Sequence, residues 1–266
     1  MLGKIIPNIY MFPGKIGRVT QNGIGRYAGI SALITLSRMR KKQSIRTWFV
    51  WLILFIVSIN LLSISQSRTA LFGFAGGVAI ILFSFKFYWI ALFTPIFTYM
   101  IYLSGFLWAA HGTWELFFWL TRRERIWAKG LEVFSRSPLV GFGFHADRYL
   151  IEWHHIHNSF IHSLIQSGIL GTIFFIAAIY GIWLVVVKNN LIKKSMDISS
   201  TENLYLSESL AVLAFLTLRS FFESTAAFYG ADLFFIVPVL IYIHIKGEME
   251  VKKRIEKNSS FFRNNL

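Results

Sequence analysis

The 266-residue chain is 55% hydrophobic and 17% aromatic with only 15% charged residues, a balance that excludes an ordinary soluble domain. Its net charge of +14 would suit nucleic acid, but the basic residues are strung between apolar runs rather than gathered on one surface. The absence of cysteine excludes a disulfide framework, a thiol nucleophile and a thiolate metal site.

The opening residues MLGKIIPNIYMFPGKIGRVTQNG lack the charged, apolar and small-residue order of a cleaved signal and read as a loop. Seven apolar runs follow: Gly23 to Leu36, which is short, Trp48 to Gln66, Ala70 to Phe85, Phe87 to Trp108, Ser159 to Val187, Leu204 to Phe222 and Asp232 to Ile245. A hydrocarbon core of roughly 30 Å needs about 20 apolar residues in a helix. The runs show no strand-like alternation, so a closed barrel is excluded. The predicted fold is all-α: a polytopic transmembrane helical bundle of six to seven spans forming one integral membrane domain over residues 1–266. From about Glu248 the chain turns polar, and 248–266 reads as a mobile cytoplasmic tail.

Basic residues fall in alternate connections: Arg38, Arg40, Lys41, Lys42 and Arg46; then Lys86; then Lys188, Lys193 and Lys194; then Lys252, Lys253, Arg254 and Lys257. The positive-inside rule places these in the cytoplasm and puts Gln66 to Thr69, the loop 109–158 and Glu223 to Ala231 on the outer side. The outer loop itself carries Arg122, Arg123, Arg125, Lys129, Arg136 and Arg148, and a loop of that length is usually functional. Within it, Ile126, Leu131 and Phe134 are spaced for an amphipathic helix near the membrane surface, ending at Ser137-Pro138 and followed by a bend at Gly141 and Gly143.

Several residues could carry chemistry. Arg68, at the edge of a span in SQSRTALFGFAGG, is either an interfacial arginine that snorkels or a group awaiting an anionic partner. Arg123 with Arg122 and Arg125 could hold phosphate through planar paired donors, or pair with Glu124 and Glu132 as a solvated helix face. In EWHHIHNSF, a metal reading would use Glu152, His154 and His157, but the spacing matches no known zinc motif. One histidine could instead accept a proton from an attacking hydroxyl, or Asn158 and Ser159 could simply cap the next helix beside interfacial histidines. Glycines in FGFAGG and QSGILG suit close helix packing, and Arg219 and Glu223, four apart, suit an ion pair on one helix face that borders the site.

Taken in order, SRTALFGFAGG, RRERIWAKGLEVFSRSPLVGFGF and HNSFIHSLIQSGILG resemble the O-antigen ligase and polymerase family of bacterial envelope glycan enzymes. The family pattern of an arginine four residues before a tryptophan, a proline, a glycine pair and a His-Asn opening a helix falls on Arg123, Trp127, Pro138, Gly141 with Gly143, and His157 with Asn158. That resemblance implies a metal-independent, inverting glycosyltransferase without cofactor. It would move a glycan from an undecaprenyl diphosphate carrier to a hydroxyl of lipid A core, another repeat or a protein, at the outer (periplasmic) face of the cytoplasmic membrane. It implies catalytic roles for His157, Arg123 and Arg68, and substrate contacts at Arg122, Arg125, Asn158, His154 and Arg219.

The family pattern has more spans than are visible here, so the chain reads as its C-terminal part. Two other readings follow from the residues: a polysaccharide transporter or flippase, from glycine-rich helices with charged ends, and an inactive truncated member, from the missing spans. No internal repeat in the spans supports the transporter.

Overall fold

The computed structural model describes residues 21–65, 67–83, 123–151, 155–224 and 232–264. Among these residues every regular element is helical: α1 Gln21–Met39, α2 Ile45–Ile64, α3 Arg68–Phe83, α4 Arg123–Ser135, α5 Ala146–Leu150, α6 Ser159–Lys188, α7 Leu191–Lys194, α8 Thr201–Arg219 and α9 Leu233–Asn264. The all-α expectation holds. The expected run Phe87 to Trp108 lies outside the described residues.

Two helices, α2 and α6, are long and apolar enough to cross a membrane, and α3 is apolar but shorter. Among the described residues, the expected six to seven spans are met on length and apolarity by these two helices only. Polar groups are the reason: α1 carries Arg26 and Arg38, and α8 carries Glu202, Glu208 and Arg219. The polar stretch from about Glu248, read from sequence as a tail, is helical to Asn264 as the continuation of α9.

Local signals set the helix starts. Ser44 accepts from the Thr47 amide ahead of α2, and Ser200 accepts from the Asn203 amide ahead of α8, each satisfying a donor the helix cannot. The main core joins α1, α2, α3, α8 and α9 around Leu33, Leu62, Ile81, Leu210 and Phe215. Glycines on α3 allow α8 to approach: a Cβ on Gly73 would lie 2.8 Å from the Phe215 carbonyl oxygen, and one on Gly77 2.9 Å from that of Ala211.

Charged groups separate to two ends of this bundle. At one end Arg38 pairs with Glu208, Lys246 with Glu202 and Lys194 with Glu250, while Arg40 donates to Ser207 over 3.0 Å. At the other end lie Asn22, Ser67, Arg123, Arg219, Glu223 and Asp232, joined by the bonds described below.

The outer loop has its own small core. Val133 of α4, Ala146, Ile151 and Ile156 pack on Ile165 of α6, with Trp127 and Phe134 beside them. α4 forms where expected, but Leu131 is exposed and Gly130 with Val133 is buried, so the packed stripe is rotated from the predicted one.

α6 is not continuous. Gly168 has φ 63 and ψ −164, which breaks the ladder. The loop after α4 fills the break: the amides of Ile169 and Leu170 donate to the carbonyls of Pro138 and Leu139 at 2.8 and 3.3 Å, and the amides of Phe142 and Gly143 donate to Ile165 and Gln166, both at 2.8 Å. Thus Gly168 serves a break and a backbone docking site rather than the helix packing expected from QSGILG.

A Cβ at Gly168 would sit 2.3 Å from the Leu139 carbonyl carbon, whereas one at Gly143 (φ 94) meets nothing within 4 Å. Gly168→Ala should cost about 3 kcal/mol, from a backbone conformation almost reserved for glycine plus overlap with the docked loop. Gly143→Ala should cost about 1 kcal/mol, from left-handed backbone strain alone. Thermal unfolding of the purified variants in detergent checks the order; equal losses would contradict the docked-loop account.

Candidate active site

The site forms where α6 begins. Asn158 caps this helix, its side-chain oxygen accepting from the Phe160 and Ile161 amides at 2.9 and 3.0 Å while its amide donates to the Phe221 carbonyl at 2.9 Å. Next to it the Ser159 amide donates to the Ser220 carbonyl at 2.9 Å and its hydroxyl to the Glu223 carbonyl at 2.9 Å. The start of α6 is thereby stitched to the turn that ends α8. Asn158, expected among substrate contacts, has its side chain engaged in this stitching.

His157 precedes the cap with φ 49, a left-handed conformation that histidine tolerates better than most residues. Its Nδ1 lies 2.8 Å from Glu223 Oε2. Glu223 is 8% exposed, and its other oxygen accepts from Arg123 Nη2 at 3.1 Å and from the Asn22 amide. Arg123 also donates to the Phe222 carbonyl. One buried carboxylate thus binds both His157 and Arg123, residues 34 positions apart by number (157 − 123).

Burial pushes the Glu223 carboxyl up, but the hydrogen bond and charge of His157, with the charges of Arg219 and Arg123, outweigh it and hold the group below its ordinary value of 4.5. An ionised carboxylate can only accept, so Nδ1 of His157 is the donor, and whenever the ring is neutral the lone pair is on Nε2. The His157 side chain is 33% exposed, in contrast to the buried carboxylate that holds it. The arrangement is that of an oriented general base.

Arg68 opens α3 next to Ser67, whose hydroxyl donates to Asn22 at 2.8 Å; Asn22 in turn binds Glu223. The Arg123 guanidinium is near enough to act on Arg68 by charge repulsion. The two arginines lie in each other's field, and Glu223 pairs with Arg123; guanidinium donors brought together in this way suit an anionic group.

The remaining expected site residues divide. Arg219 is buried and paired with Asp232 at 3.2 Å, not with Glu223 as its spacing suggested; Arg26 shares Asp232 at 2.9 Å. Its charge reaches Glu223, but its guanidinium belongs to this neighbouring pair. Arg125 is exposed, because two positions along a helix face nearly opposite ways. Arg122 and His154 lie outside the described residues, as does Glu152.

Sequence reasoning missed Glu223 as the hub. Its only signal was its place at the outer end of a span, four residues from Arg219. It also missed Asp147 with His162, both 1% exposed at the side chain and 3.2 Å apart, a second carboxylate–histidine couple joining α5 to α6. Burial pushes Asp147 up, but the close approach and charge of His162, with the charges of His155 and Arg148, bring it below the ordinary aspartate value. His155, beside His157, is held below the usual histidine value by burial and by the Arg148 and His157 charges.

Residues 52–176 match the family profile described as O-antigen ligase, a stretch that contains Arg68, Arg123 and His157. This segment, a little under half of the chain, is similar to the O-antigen ligase family. Among curated proteins nothing matches. The O-antigen ligase family is membrane-embedded and implies polysaccharide-related glycosyl transfer. Glu223 lies beyond the matched segment yet holds two residues inside it together.

A carboxyl depressed in the folded state stabilises fully above its ordinary value, and that contribution is lost as pH falls through the lower, folded value. Glu223→Gln should therefore flatten the acid limb of the stability profile below about pH 4.5 and cost ~3 kcal/mol at pH 7, since the Arg123 charge loses its partner. Unfolding midpoints of both proteins across pH test this. An unchanged acid limb would contradict the hub role.

Proposed function

We propose that this chain transfers a glycan from an undecaprenyl diphosphate carrier to an acceptor hydroxyl at the outer face of the bacterial cytoplasmic membrane. It acts there as an O-antigen or exopolysaccharide polymerase or ligase, inverting and independent of metal. The observation that carries this reading is the Glu223 bridge between His157 and Arg123, with Arg68 in the field of Arg123.

The chemistry follows from those groups. Nε2 of His157 takes the proton of the acceptor hydroxyl as its oxygen attacks the anomeric carbon from the side opposite the diphosphate. The bond from that carbon to the diphosphate oxygen breaks, its electron pair leaves with the diphosphate, and the configuration inverts. Charge grows on the leaving oxygen, and fixed guanidinium groups of Arg68 and Arg123 stabilise it more in the transition state than in the ground state. Glu223 keeps the imidazole in the reactive tautomer and stabilises its charge once the proton has arrived.

In this reading residues 1–266 form one multi-pass membrane domain whose two ends face the cytoplasm and the periplasm. The loop 109–158 is periplasmic. The acceptor is a glycan or lipid A core.

Purified protein in liposomes with a lipid-linked glycan donor and acceptor provides the test. His157→Ala should lower the transfer rate by about 10²–10⁴-fold. Arg123→Ala should lower it by about 10²–10³-fold, with part of the rate restored by Arg123→Lys. Movement of the lipid-linked substrate across the bilayer without covalent transfer would overturn the enzyme and favour a flippase. In a deletion strain, single repeats on the carrier indicate a polymerase, and long chains left on the carrier indicate a ligase.

A further inference from the structure

α6 has 30 residues, more than a bilayer core requires, and it breaks at Gly168. Beyond the break about 20 residues remain to Lys188, roughly 30 Å of helix, which alone matches the hydrocarbon thickness. Exposure divides at the same point. Ile169, Leu170, Ile173 and Phe174, just past Gly168, are exposed large apolar residues, and none of the large apolar residues of α6 before Gly168 is. The first part of α6 instead packs on the outer-loop core through Ile165 and Ile161.

The loop that docks into this break presents its own apolar side chains outward. Leu139, Val140 and Phe144 are 63%, 66% and 66% exposed, and Phe142 is 40% exposed. The Pro138 and Leu139 carbonyls bind the Ile169 and Leu170 amides, so these side chains stand level with the start of the exposed apolar face of α6. Tyr149, exposed on α5, adds a ring of the kind enriched at membrane interfaces. Backbone pairing across the break satisfies the amides of Phe142, Gly143, Ile169 and Leu170, which lowers the cost of bringing irregular chain to the lipid boundary.

We infer that residues 138–144 form a hook that inserts its apolar side chains into the outer leaflet, continuous with the lipid-facing surface of α6 below Gly168. The occupant of this surface is the bilayer itself. The inference rests on α6 crossing the membrane and is independent of glycosyl transfer. Its consequence is positional: the segment Ser159–Gly168 stands above the hydrocarbon, and His157 is held roughly 15 Å above its edge at 1.5 Å per residue. That height lies about 8–10 Å beyond the headgroup layer, which adds about 5–7 Å on each side.

The chain has no cysteine, so single-cysteine labelling is direct. Val140→Cys, Phe142→Cys, Phe174→Cys and Glu132→Cys are each labelled with an environment-sensitive dye. The proteins are then reconstituted in vesicles of phosphatidylethanolamine and phosphatidylglycerol. Quenching by acyl-chain nitroxide lipid is compared with quenching by aqueous iodide. Labels at 140 and 142 are expected to match Phe174→Cys: several-fold stronger lipid quenching than Glu132→Cys, and protection from iodide. If 140 and 142 behave like Glu132→Cys while Phe174→Cys is lipid-quenched, the hook is overturned and the span stands. If Phe174→Cys is itself open to iodide, the span fails and the hook fails with it. Circular dichroism of each variant checks that the label has not unfolded the protein.

Discussion

A carboxylate removed from water must be given partners, and Glu223 receives them from three other parts of the chain. Asn22 comes from α1, Arg123 from α4, His157 from the segment before α6, and Glu223 itself ends the turn after α8. Its backbone carbonyl takes the Ser159 hydroxyl as well. An unpaired buried charge costs several kcal/mol, so the elements that carry these partners cannot drift apart independently. Position and chemistry are therefore coupled: the contact that joins the helices also sets the tautomer of His157.

The break in α6 obeys a related constraint. Interrupting a helix frees two amides and two carbonyls, and in an apolar setting each is costly unless bonded. The loop from Pro138 to Gly143 supplies all four bonds. This explains why the described stretch that follows α4 has a defined shape rather than a free excursion. Its backbone is the missing turn of α6, and Trp127 adds a second tie by donating from its indole nitrogen to the Ile156 carbonyl at 2.8 Å. The segment bearing His157 is consequently held by α4 from one side and by Glu223 from the other.

Much of this was legible in the sequence. Apolar runs marked the helices, Ser137-Pro138 marked the end of α4, and the glycine pair marked a bend. The spacing of Arg123 and Trp127 was also informative, since four residues place both on one face, from which both reach the His157 region. Arg125 could not be separated from Arg123 by residue type, only by helical phase. Glu223 was obscured for a different reason. Its spacing from Arg219 suggested a local pair, but Asp232 takes Arg219 and leaves Glu223 for partners far off in the chain. Gly168 misled because a glycine needed for a left-handed backbone and one needed for close packing look alike in a single sequence.

The two carboxylate–histidine couples show why residue type alone does not designate a base. Both join a histidine Nδ1 to an acid whose carboxyl is held below its ordinary value. The side chain of His162 is only 1% exposed beside Asp147. His157 is a third exposed and stands at the helix mouth with two arginines in range of each other. Access and nearby positive charge, rather than the histidine–acid geometry they share, distinguish the couple suited to proton transfer from the one suited to holding the loop in place.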